Sequence, residues 1–63
     1  MNVKKYRENL KISQKDIASK LKMTQQAYSR KERGIRKFTI DEAFKLEDIL
    51  KVSIRELFEE DSQ

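Results

Sequence analysis

Apolar residues recur along this chain at three- and four-residue intervals, and β-branched alternation is absent. That pattern predicts helices and no strands. Val3, Tyr6, Arg7 and Leu10 share one face of a first helix over 3–11. Ile17, Ala18 and Leu21 cluster in a second over 14–21. Ile40, Ala43, Phe44, Leu46 and Leu50 form a broad face in a fourth helix, and Ile54, Leu57 and Phe58 do so in a fifth. Cap residues mark the starts. Ser13 with Asp16 makes a weak capping box, Thr24 precedes a third helix over 25–33, and Thr39 with Glu42 and Ser53 with Glu56 have full capping-box spacing. Gly34, the one glycine, stands where a left-handed residue closes a helix. The expected fold is all-α: a compact five-helix domain spanning 1–63, with an acidic tail at about 59–63.

The third helix differs from the others. Its apolar side is only Ala27 and Tyr28, with Lys31 beside them, while Gln25, Gln26, Ser29, Arg30 and Arg33 fill the other arc. So thin a core face implies that the helix serves what its polar face touches. The helices before and after the turn Lys22-Met23-Thr24 have the layout of a helix-turn-helix, in which the second helix is presented to the DNA major groove.

Charge sharpens this picture. The chain has 63 residues and a net charge of +4. Residues 1–38 hold twelve Lys/Arg against three Asp/Glu, a net of +9, and residues 39–63 hold three against eight, a net of −5. A basic working face suits a polyanion. There is no Cys and no His, so thiol nucleophiles, thiolate metal sites and the usual general base are excluded. No nucleophile–base pair or metal constellation remains. The chain reads as a binding module without cofactor, metal or evident small-molecule ligand, not as an enzyme. No apolar run approaches the ~18 residues of a membrane span, and no signal peptide is evident, so a cytoplasmic protein is expected.

The stretch 13–34 carries a more specific signal. Gln14 opens the second helix, Ala18 lies within it, Thr24 opens the third, and Glu32-Arg33-Gly34 ends it. This ordered set resembles the helix-turn-helix of the phage repressor/Cro family, also called XRE-type regulators. Leu50-Lys51-Val52-Ser53 and Leu57 resemble that family's later helices, so the likeness covers roughly residues 3–58. The resemblance implies a regulator that binds double-stranded DNA. It places base reading on the exposed start of the third helix, where Gln25 and Gln26 suit adenine and Arg30 can fork onto guanine O6 and N7. Ser29 is short enough to meet a base edge or a phosphate. Gln14 and Thr24 lie at helix N-termini that favour phosphate. Arg33, Arg36 and Lys37 read as backbone clamps. The resemblance also implies an ion pair between Arg7 and Glu32 that orients Arg7 toward a phosphate; a charge on an apolar face needs a partner.

Three residues depart from the family pattern. Lys22 stands where Gly is usual, at a cost of about 1–2 kcal/mol if the position is left-handed. Lys31 replaces an apolar residue and Glu47 replaces Ala, both on core-facing arcs. Either the two pair with each other, or each stem lies along the surface with its head in water. A palindromic operator calls for a homodimer, and Phe38, Ile49 and Phe58 are its candidate surface, with the tail Glu59-Glu60-Asp61 pointing away from DNA. The competing reading is an antitoxin, or another protein-interaction module, built on the same fold.

Overall fold

A computed structural model of the chain describes residues 1–59 and contains five helices: α1 (Val3–Asn9), α2 (Gln14–Lys20), α3 (Gln25–Glu32), α4 (Ile40–Leu50) and α5 (Ile54–Phe58). No strand occurs among the described residues. Of the acidic tail, Glu59 is exposed, and Glu60 and Asp61 lie outside the described residues.

The starts follow from local hydrogen bonding. The side chains of Ser13, Thr24, Thr39 and Ser53 accept from the backbone N–H groups of Asp16, Ala27, Glu42 and Glu56. Each satisfies one of the donors that a helix leaves open in its first turn. At α4 the box is reciprocal, because Glu42 Oε1 also accepts from the Thr39 N–H at 2.9 Å. At α5 a carboxylate of α4 serves a different donor of the first turn: Glu47 Oε2 accepts from the N–H of Ile54, the first helical residue, at 3.2 Å.

The first three helices also end alike. The Lys11, Lys22 and Gly34 N–H groups donate to the carbonyls of Glu8, Ser19 and Lys31. The Ile12, Met23 and Ile35 N–H groups donate to those of Arg7, Ala18 and Arg30. This paired pattern is the Schellman closure, and its pivot residue is left-handed. Lys11 and Lys22 therefore have φ of 59° and 60°, and Gly34 has 86°. Lys22 is thus held in a left-handed conformation, the one that glycine adopts without strain. The half-buried Met23 pins the turn to the core.

Val3, Ile17, Ala18, Leu21, Tyr28, Leu46, Leu50 and Leu57 form the buried core, drawn from all five helices. The helices pack chiefly as α2 on α3, α4 on α5 and α1 on α5. The last pair joins the two ends of the described chain. The Asn2 N–H donates to the Leu57 carbonyl at 2.7 Å, and the Asn2 amide donates to the Glu56 carbonyl at 3.1 Å.

Two apolar assignments are corrected. Leu10 is 49% exposed, because α1 stops at Asn9 and Leu10 is already its cap. On α4, Ile40 and Phe44 are 75% and 56% exposed, whereas Ile49, off the expected apolar arc, packs against the core. Leu46 and Leu50 set the buried stripe. Ile40 and Phe44 lie about 100° or more around the helix from its centre, at 100° per residue.

Candidate nucleic-acid interface

Glu32, in the last turn of α3, organises the interface from beneath. Its Oε2 accepts from Arg7 Nε at 2.7 Å and from the Tyr28 hydroxyl at 2.6 Å. Its Oε1 accepts from Gln14 Nε2 at 2.8 Å and from Arg7 Nη2 at 3.3 Å. Arg7 Nη1 adds a bond to the Ile12 carbonyl at 2.6 Å. The cluster thus ties α1, the α1–α2 turn, α2 and α3 to one carboxylate. Arg7 is 7% and Glu32 8% exposed, so the pair is a buried, charge-assisted one.

The electrostatics follow from that geometry. Burial alone would push the Glu32 carboxyl up, but the bonds from Arg7, Tyr28 and Gln14 outweigh it and hold the group below its ordinary value. The bond to Glu32 raises the Arg7 guanidinium further. Burial, reinforced by the bond to Glu32, pushes the Tyr28 hydroxyl up, so Tyr28 remains a donor. The ion pair is visible in the sequence as a charge on an apolar face. Tyr28 reads there only as apolar, although its spacing of four from Glu32 is the signal that would have found the bond.

On the outer arc of α3, Gln25, Gln26 and Arg30 are exposed and Ser29 is half-buried. At 100° per residue these four occupy one arc, with the buried Glu32 at its edge beside Gln25 and the buried Tyr28 further round the helix. Thr24 is exposed at the N-cap, with its hydroxyl oxygen accepting from Ala27 N–H. Gln14 is half-buried, and the bond to Glu32 fixes its amide. One Gln14 N–H is thereby taken, and the amide's second N–H remains for an anion. Three of Arg7's donors are engaged within the chain.

Arg33, Arg36 and Lys37 are exposed just beyond α3. Their loop is held at both ends. At its start, the Ile35 and Arg36 N–H groups donate to the Arg30 carbonyl at 2.9 and 3.3 Å. A shallow hollow there is lined by Ala27, Arg30, Lys31 and Arg36, so Arg36 stands beside the polar face of α3. At its end, the Thr39–Glu42 box fixes the chain and Lys31 grips that box. Lys31 Nζ reaches both Glu42 oxygens, at 2.7 and 2.8 Å.

Neither alternative weighed for Lys31 and Glu47, a mutual pair or two heads in water, is what the structure shows. Lys31 pairs with Glu42, and Glu47 caps α5. Burial would raise the Glu42 carboxyl, but its bonds to Lys31 and Thr39 hold it below the ordinary value.

The candidate dimer residues lie elsewhere. Phe38 stacks at a tilt on Tyr28 with ring centroids 5.9 Å apart, and meets Phe58 edge-on at 5.7 Å. With Ile49, both are half-buried against the chain's own core.

A helix-turn-helix family model, of the XRE type, matches residues 3–57. The chain belongs to this XRE/Cro-like helix-turn-helix family. Its members are DNA-binding regulators of transcription, and α2 and α3 form the helix-turn-helix. No curated protein and no solved structure matches the chain significantly. Among the described residues, no helix is long and apolar enough to cross a membrane.

Proposed function

We propose that this XRE-type protein is a sequence-specific regulator, most simply a repressor, that binds a palindromic operator as a homodimer in the cytoplasm. The observation that carries this reading is the composition and exposure of the outer arc of α3. Gln25, Gln26 and Arg30 stand clear there, and Ser29 beside them, on a helix anchored by Tyr28 and Glu32. Amides and guanidinium groups are the side chains that form bidentate pairs with adenine and guanine in the major groove. Gln14, Thr24, Arg33, Arg36 and Lys37 flank that arc and supply register through the phosphates. Arg7 supports the interface mainly by anchoring Glu32.

Selection from random duplex DNA tests the proposal. The expected product is a palindrome whose half-sites are separated by about 34 Å or a multiple of it. Gln25→Ala is expected to cost ~1–3 kcal/mol on the selected site and to relax preference at one base pair per half-site. Unchanged sequence preference in that variant would remove base reading from Gln25. Failure to enrich any sequence would favour the protein-interaction reading instead.

A further inference from the structure

Lys31 and Glu42 join the two ends of the loop that carries the exposed Arg33, Arg36 and Lys37. Lys31 stands in the last turn of α3 and Glu42 in the first turn of α4, and the bond between them closes that loop. One carboxylate holds both sides: Glu42 Oε1 accepts from the Thr39 N–H and from Lys31 Nζ, and Oε2 accepts from Lys31 Nζ as well. The two side chains are each 18% exposed, so this is not the solvent-exposed kind of pair that contributes little.

The surroundings give the pair its consequence. Lys31 and Arg36 line the hollow against α3 together with Ala27 and Arg30, and both also line a second hollow with Gly34, Lys37 and Phe38. Arg30, Lys31 and Arg36 therefore bring three positive charges to one concavity, and like charges held close repel. Glu42 neutralises the middle one and ties it to α4. The base of the loop is anchored separately, because Phe38 packs on Tyr28 and Phe58. Loss of the pair thus leaves the core in place and releases the part of the loop that carries the cations. An apolar residue at position 31, as in the family pattern, could fill the space but could not draw Glu42 across.

We propose that Lys31 and Glu42 are positioning residues for DNA binding, which hold Arg36 and Lys37 where phosphates meet them and make no contact with the duplex themselves. The inference rests on the reading of α3 and its loop as the DNA interface. The sign of one substitution separates positioning from plain electrostatics. Glu42→Gln removes a negative charge next to a polyanion site, so charge alone predicts tighter binding. Gln keeps the reach-back to the Thr39 N–H, since Glu and Gln both serve that place in a capping box. It weakens only the hold on Lys31, so loss of position predicts weaker binding.

Fluorescence anisotropy of the full chain on a duplex carrying the selected operator tests this. Glu42→Gln is expected to weaken binding several-fold and Lys31→Met on the order of tenfold, with the double variant no worse than Lys31→Met, because the three share one coupling. In the Lys31→Met background, Arg36→Ala is expected to lose most of its cost while Gln25→Ala keeps its own, a separation that a general loss of stability would not produce. Hydrogen exchange of the free chain supplies a readout without DNA. The Ile35 and Arg36 amides, bonded to the Arg30 carbonyl, are expected to exchange at least about fivefold faster in Lys31→Met, relative to the amide of the core residue Leu50. Tighter or unchanged DNA binding in Glu42→Gln would overturn the proposal, the tighter outcome making Lys31 a phosphate contact in its own right. So would unchanged exchange at Ile35 and Arg36 in Lys31→Met, or a full cost of Arg36→Ala in that background. A loop loosened by Lys31→Met in a chain whose wild type binds no duplex would count against the DNA-interface reading and not against the hold of the pair on the loop.

Discussion

Replacing Glu32 by Ala removes the one acceptor shared by Arg7, Gln14 and Tyr28. What remains is a guanidinium 7% exposed whose neighbouring carboxylate is that of the exposed Glu8, 3.8 Å from Nη2 and not hydrogen-bonded to it. Breaking one side of a buried pair costs about 3–5 kcal/mol, because the other charge stays buried and unpaired. A domain of this length has a total stability of only about 3–9 kcal/mol at typical values per residue. Glu32→Ala is therefore expected to remove about a third or more of the stability, read as a lowered urea midpoint by circular dichroism at pH 7. The pH dependence gives a second, sharper signature. The folded-state value of the Glu32 carboxyl is depressed. Its contribution is therefore fully present above the unfolded-state value of about 4.3, and is lost as pH falls through the folded-state value. The difference between wild type and Glu32→Ala should accordingly be constant from pH 7 to about 5 and shrink in acid. A variant within about 1 kcal/mol of wild type at pH 7, or a difference that does not change in acid, would refute the role assigned to Glu32.

Three further outcomes are expected. Lys22→Gly should raise stability by about 0.5–1 kcal/mol, since relief of the left-handed strain, ~1–2 kcal/mol, exceeds the entropy glycine adds to the unfolded chain, ~0.5–1 kcal/mol; a lowered urea midpoint would show that the turn carries no such strain. A double-mutant cycle on Lys31→Met and Glu42→Gln should return a coupling of about 1–2 kcal/mol, above the range of exposed pairs, whereas the cycle between Lys31 and Glu47 should return none. On the selected operator, Arg30→Ala should relax specificity at particular bases, while Lys37→Ala should weaken all sequences alike and reduce the salt slope by about one; a loss of specificity in Lys37→Ala would reverse the two roles.

Several features are legible in the order of residues because they close over short distances. Ser13, Thr24, Thr39 and Ser53 cap helices through bonds to residues three positions on, so the chain's own order announces them. The polar arc of α3 is equally local, as it needs only the helical repeat to gather Gln25, Gln26, Ser29 and Arg30. The Arg7–Glu32 pair is within reach because a charge on an apolar face requires a counter-charge, and the family resemblance supplies the partner.

What depends on the tertiary structure is the choice among partners and faces. α4 carries four carboxylates, Asp41, Glu42, Glu47 and Asp48, and the packing places Glu42, rather than Glu47, at the Lys31 ammonium group. Glu47 instead meets the start of α5, a contact that exists only once α4 and α5 are folded together. The apolar residues of α4 outnumber those its neighbours can cover. Periodicity identifies a broad face, but only the position of the rest of the core determines that Leu46, Ile49 and Leu50 turn inward while Ile40 and Phe44 stay in solvent. Local hydrogen bonds and the helical repeat are written into the sequence itself. The side of a helix that is buried is a property of its neighbours, and no residue of the helix carries it alone.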